Sequence, residues 1–227
     1  LMRLAIDCYQ GHTSKTFNVH VRDDDKEYDR DYAEMDAMMH KAITVIQFKV
    51  EGQLIKRHPE WDMKERLLLD KIDYKQGTIK LGGKEYPLND TYFPTIDPKD
   101  PYKLTQEEED VVERLKNSFL GSERLQRHIR FLYTKGSLYK VYNGNLLYHG
   151  CVPLNEDGSF MKVKIFDKMY SGKALYDILE HYARKGYYSI DPQEKQRGED
   201  ILWFIWKNKH SPVFGKERMA TFERYFV

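Results

Sequence analysis

The dipeptide Asn143-Gly144 stands between two short apolar-rich runs, 137–143 and 145–149. Asn-Gly suits the two positive φ angles of a tight two-residue turn, so this stretch predicts a β-hairpin, and the turn fixes its register. A second pair, Gly82-Gly83, separates Thr78-Ile79-Lys80-Leu81 from Lys84-Glu85-Tyr86-Pro87-Leu88 and predicts another hairpin near 78–88. Asp157-Gly158 marks a further turn, followed by strand signals over 160–166 and 168–170.

Around the hairpins the pattern is helical. From Glu34 to Arg57, residues such as Met35, Met38, Met39, Ala42, Ile46 and Val50 recur at helical spacing, and Pro59 sets the limit. Gly52 weakens that helix. A short helix fits 65–70, and the prolines at 94, 98 and 101 make 89–104 an extended connection. Thr105-Gln106-Glu107-Glu108 reads as a capping box opening a helix to about Asn117. Ser122 caps the next helix and Gly136 closes it. Ser171 caps a helix over 173–184, with Gly186 as its end. Residues 199–206 read as a buried helix, 208–217 as a loop and 218–226 as helical. Residues 1–33 are poorly patterned, and Arg22 to Glu27 read as a solvated loop. These signals describe a mixed α/β (α+β) chain.

Charge and cysteine usage narrow the function classes. Lys and Arg number 37 against 36 Asp and Glu, a formal net charge of +1, which argues against a dedicated nucleic-acid binder. The two cysteines, Cys8 and Cys151, form no CxxC pair, which excludes a zinc ribbon and favours a reducing, cytoplasmic setting. No apolar run approaches the roughly 18 residues of a membrane span. The chain opens on Leu1 and closes on the aromatic stretch Tyr225-Phe226-Val227, and it reads as a piece cut from a longer one.

The stretch that can carry chemistry follows the Asn-Gly turn. An apolar strand ends in His149, and the next residue is Gly150, where the backbone can turn sharply or approach a ligand closely. Imidazole at the exposed end of a buried strand is one way to present a ligand to a metal. The plainer reading is a strand-end histidine bonded to backbone, and spacing alone favours it, because one imidazole holds no metal and no second ligand lies nearby in sequence. Cys151 reads as a buried thiol, since no dyad partner is visible.

The stretch "VYNGNLLYHGCVPLNEDGSF" closely resembles the middle histidine block of class III, firmicute-type fructose-1,6-bisphosphatases. So do "MHKAITVIQFKVEGQLIKRHPEW", "RLLLDKIDY", "LNDTYFPTIDPKDPYKLTQEEE", "SERLQRHIRFLYTKGSLY" and "SPVFGKERMATFERYF". The blocks run in the family's order over residues 34–227, and the match is less specific before them. The resemblance implies a calcineurin-like αββα metallophosphoesterase fold, present only in part, with a mostly helical insertion. It places that insertion at 1–136 and part of the metallophosphoesterase core at 137–227. Such enzymes build a two-metal centre from five blocks: D-x-H, G-D-x-x-D-R, G-N-H-[DE], a lone strand-end histidine followed by glycine, and a late G-H. His149 with Gly150 matches the fourth, which makes His149 a metal ligand. The other blocks are absent here and are expected outside Leu1–Val227, so no catalytic residue is assigned and the 227-residue chain alone is expected to be inactive.

The activity implied is manganese-dependent hydrolysis of fructose 1,6-bisphosphate to fructose 6-phosphate and phosphate, a gluconeogenic step in the cytoplasm. A sugar bisphosphate needs cationic clamps. Arg127 and Arg130, beside Arg124 and His128, and Arg218 and Arg224, near Lys216, are weak candidates, with a solvated helix face as the favoured alternative. Trp203 and Trp206 read as core. The competing class is a regulatory or oligomerisation segment of a metallophosphoesterase acting on another phosphoester. A homo-oligomer is compatible with the 17 tyrosines, and no nucleic-acid or membrane partner is expected.

Overall fold

The structure, a computed structural model, describes residues 1–12, 17, 30–215 and 221–227. The expectations at Arg22 to Glu27, Lys216 and Arg218 lie outside the described residues. The chain is mixed α and β, with small antiparallel sheets, and it divides into two compact units. The first joins Leu1–Arg57, Lys64–Ser118 and Ala220–Val227; the second joins His58–Met63 to Phe119–Met219. Residues 136 and 137 both lie in the second unit.

The first unit is organised by α2 (Arg30–Arg57). One stripe of this helix, Met38, Ala42 and Ile46, packs with Leu4, Ala5 and Tyr9 of α1 (Met2–Tyr9) and with Val111 of α3 (Gln106–Gly121). Another, with Ala37, Val45 and Phe48, joins Leu69, Ile72, Ile79, Ile96, Tyr102, Phe222 and Phe226 in a second cluster. The stripes lie on different faces of the helix, which explains its many apolar positions. Helix α1 was not visible in the sequence, because eight residues give too short a window for a periodic signal. Gly52 has a packing role as well: a Cβ there would sit 2.0 Å from the Tyr102 ring, so the glycine makes room for it.

Two lysines of α2 are buried and paired. Lys41 Nζ lies 2.6 Å from Asp90 Oδ2, above the rings of Tyr9, Tyr92 and Phe93. Lys49 Nζ donates to Glu108 Oε2 at 2.6 Å and to the Thr95 carbonyl. Glu108 also closes the expected capping box, accepting from Thr105 N while Thr105 Oγ1 accepts from Glu108 N. The 78–88 hairpin forms as β2 (Thr78–Leu81) and β3 (Lys84–Pro87), and β1 (Ile72–Asp73) adds a third strand in the order β1-β2-β3.

The second unit centres on α5 (Gly172–Tyr188) and α6 (Pro192–Lys207), folded back on each other through Ser189–Asp191. Gly186 does not end α5. A Cβ on Gly186 would meet Gly198 C at 2.7 Å, and one on Gly198 would meet Gly186 N at 2.1 Å, so paired glycines let the two backbones cross closely. Helix α6 begins before 199, because Asp191 caps it by accepting from Glu194 N, with Pro192 in its first turn. Leu175, Leu179 and Ala183 of α5 and Ile201, Phe204 and Ile205 of α6 are buried. β6 (Val163–Ile165) and β7 (Lys168–Tyr170) form a small hairpin, shorter than the predicted strand over 160–166. α4 (Glu123–Lys135) carries the expected Ser122 cap, and α7 (Thr221–Phe226) belongs to the first unit.

Candidate functional site

The Asn-Gly hairpin forms as expected. β4 (Tyr139–Tyr142) pairs antiparallel with β5 (Asn145–Tyr148), Tyr139 opposite Tyr148 and Tyr142 opposite Asn145. Asn143 and Gly144 have φ of 49° and 75°, the two positive angles the turn requires. β4 is anchored at its start. Ser137 Oγ and Leu138 N donate to Glu180 of α5, Tyr139 OH donates to Asp177, and the Tyr139 ring stands edge-on to Tyr176. The expected buried strand is not found: Val141, Tyr142, Leu146, Leu147 and Tyr148 are all exposed. Among the described residues the hairpin forms a sheet of two strands only.

His149 follows β5 at the end away from the turn, with its side chain exposed. Gly150 has φ of 93°, and a Cβ there would lie 2.4 Å from Val213 O and 2.5 Å from Pro212 O. Only glycine meets both the angle and the space. Cys151 N donates to Pro212 O at 2.9 Å, and Tyr176 OH donates to Cys151 O at 2.8 Å. The Cys151 residue is exposed rather than buried, with its Sγ 3.8 Å from the Ser211 carbonyl. The backbone on either side of His149 is thus held by β4 on one side and by the turn 211–215 on the other.

That turn is firmly built. Buried Ser211 donates its hydroxyl to Ile205 O at 2.5 Å and accepts from Val213 N and Phe214 N. Buried Asn208 accepts from His210 N and donates to Trp61 O. The Phe214 ring stands edge-to-face to His149, centroids 5.5 Å apart at 67°. In the sequence this segment reads only as a loop. The Asn and Ser side chains that close it were the available signal.

Arg127 and Arg130 lie exposed on α4, and no contact links them to His149 among the described residues. Arg224 is exposed in the first unit, with its guanidinium 5.7 Å over the Tyr225 ring. Arg218 is outside the described residues. Trp203 and Trp206 are not both core, since Trp206 is exposed.

One titratable cluster escaped the sequence reading. His58 Nε2 lies 2.8 Å from Asp200 Oδ2 and His58 Nδ1 lies 2.9 Å from Glu60 Oε1. Its ring stacks on Trp61 at 3.9 Å. Burial pulls the imidazole pKa down, but hydrogen bonds to the Asp200 and Glu60 carboxylates outweigh it, and the net shift is upward. Two acceptors on two ring nitrogens select the imidazolium, which carries a proton on each. This pair fastens the segment 58–63 to α6. Its 142-residue separation hid it from any pattern search.

Among the described residues no three of His, Cys, Asp and Glu gather as a metal cage. The His149 imidazole is exposed, and neither ring nitrogen has a hydrogen-bond partner among the described residues. Nothing described supplies a second ligand. No helix among the described residues is long and apolar enough to cross a membrane.

The sequence model described as firmicute fructose-1,6-bisphosphatase matches residues 1–227. The chain is similar to fructose-1,6-bisphosphatase class 3 1 of Clostridium beijerinckii, 51% identical over 227 residues, covering 100% of this chain and 34% of that protein. It is 56% identical over 204 residues to fructose-1,6-bisphosphatase class 3 of Clostridium tetani, covering 89% of this chain and 31% of the relative. The Clostridioides difficile protein of the same description is 53% identical over 228 residues, covering 100% and 34%. The chain thus spans about a third of the length of the curated relatives it matches. No solved structure matches it.

Proposed function

The chain belongs to the firmicute fructose-1,6-bisphosphatase family, and on that premise we propose that it works as one section of a longer metal-dependent enzyme. That enzyme hydrolyses fructose 1,6-bisphosphate to fructose 6-phosphate and phosphate, in the cytoplasm. The observation that carries the reading is the His149 imidazole, exposed at a strand end whose next residue has room only for glycine. We read it as one ligand of a dinuclear manganese centre whose other ligands come from chain outside residues 1–227.

Two divalent ions, when bound, would polarise the phosphoryl group and make a bound water nucleophilic at neutral pH. This chain's part is to present an imidazole from a fixed backbone, and the fixed backbone limits how much order must be gained on binding. The hairpin supports the wider fold reading. Val141 and Leu146 lie on one face and Tyr142 and Leu147, beside Lys140 and Asn145, on the other, so each face exposes large apolar side chains, as suits a strand pair that gains cover inside a layered sheet. We therefore take β4–β5 as a portion of a calcineurin-like αββα core. The first unit closes clusters of its own, which suits the insertion role, with regulation or assembly into a homo-oligomer as its task.

The test is phosphate release from fructose 1,6-bisphosphate by the longer polypeptide with manganese. His149→Ala is expected to lower turnover by more than ~100-fold, since even outer-shell partners of metal ligands cost 10–100-fold. Wild-type turnover in that variant removes the ligand assignment. The 227-residue chain alone is expected to release no phosphate.

A further inference from the structure

We propose that the turn Ser211–Gly215 orients the imidazole of His149, with Phe214 as the positioning residue. The inference deepens the metal-ligand reading above and rests on it. A histidine that ligates a metal is usually oriented by a hydrogen bond from its second ring nitrogen. Among the described residues His149 has no such bond. The ring that packs against it is Phe214, edge-to-face at 5.5 Å. An exposed side chain with two soft torsions otherwise spreads over several rotamers, and each must be given up when a ligand bond forms. Phe214 narrows that choice before any bond is made.

The turn can do this because it is itself immobilised. Ser211 is buried, and its hydroxyl makes three bonds, one to Ile205 O and two from Val213 N and Phe214 N. The same turn places Pro212 O and Val213 O against Gly150, and Pro212 O accepts from Cys151 N. One element therefore fixes both the backbone after His149 and the face of its ring. Phe214 is itself partly exposed, so its packing contributes little to the core, and its effect on the imidazole is separable from folding.

The experiment titrates Mn2+ into the metal-stripped longer enzyme by calorimetry and measures the melting temperature of the metal-free protein. Phe214→Ala is expected to weaken Mn2+ binding about tenfold with the melting temperature unchanged. Phe214→Tyr is expected to restore it, and Phe214→Leu only in part. In a His149→Ala background the Phe214→Ala change should add no further loss, because the two residues act through one ring. Equal losses in both backgrounds overturn the inference. So does wild-type affinity in Phe214→Ala, or a loss that follows a lowered melting temperature and that tyrosine does not restore. If His149→Ala itself leaves Mn2+ affinity unchanged, the ligand reading fails and this inference falls with it. If His149→Ala weakens binding and Phe214→Ala does not, only the positioning role is lost.

Discussion

The two hairpins of this chain share one local design and meet opposite surroundings. β2–β3 and β4–β5 each pair four residues with four across a two-residue turn with two positive φ angles. β2 gains a third strand and turns Ile79 inward, where it is 0% exposed in a cluster built on α2. β4–β5 gains neither. Val141 is 62% exposed and Leu146 53%. The difference lies in composition by face. β2–β3 buries Ile79 on one face and exposes the paired Lys80 and Glu85 on the other, as suits a sheet with one wet side. β4–β5 exposes Val141 and Leu146 on one side and Tyr142 and Leu147, beside Lys140 and Asn145, on the other, and an isolated two-stranded hairpin is marginal in water. Local code makes the hairpin; its surroundings decide whether the apolar residues are used.

The largest effect should fall on the buried side of this comparison. Ile79→Ala removes a fully buried side chain and should cost about 2–5 kcal/mol in urea unfolding of the 227-residue chain followed by circular dichroism. Leu146→Ala, on the exposed hairpin, should change the same measurement by less than ~0.5 kcal/mol. Equal costs would mean that β4–β5 is covered in solution, and the contrast would disappear.

The turns should respond alike. Gly83→Ala and Gly144→Ala each place a Cβ at a left-handed position, φ of 79° and 75°, with open space around it. Each should cost about 1 kcal/mol through backbone strain alone. A much larger cost at either position would show that its turn packs on something else.

The smallest effect concerns pH and belongs to the second unit. The folded-state pKa of His58 is raised, so folding takes up a proton. The stabilisation is fully present below the usual histidine value of about 6.5 and is lost as pH rises through the higher folded value. Tryptophan fluorescence reports on this region, since Trp61 stacks on His58. The urea midpoint should fall between mildly acidic and mildly alkaline pH, and His58→Gln should flatten that slope. An unchanged slope in the variant would assign the dependence to other groups.

Much of the fold was legible in residues close together in sequence. The Gly-Gly and Asn-Gly turns, the Thr105–Glu108 capping box, the Ser122 cap and the long α2 all appear where the pattern places them, because each depends on backbone angles or hydrogen bonds within a few positions. The misreadings have a common cause. Gly186 looked like a helix end, but it meets Gly198 twelve positions on, after the chain turns back. Gly52 carries no sequence sign of the Tyr102 ring it makes room for. Glycine announces a missing Cβ, and only the neighbour in space shows whether that absence serves an angle or a close approach.

The candidate site divides the same way. The sequence by itself determined the turn, the strand and the His149-Gly150 pair, since these follow from steric limits on single residues. Tertiary structure alone decided that the imidazole is exposed, that Pro212 and Val213 are what exclude a side chain at 150, and that Phe214 faces the ring. It also joined His58 to Asp200 across 142 positions. Side-chain contacts depend on packing between distant segments, and packing is set by the whole buried surface at once, which no short stretch of sequence contains.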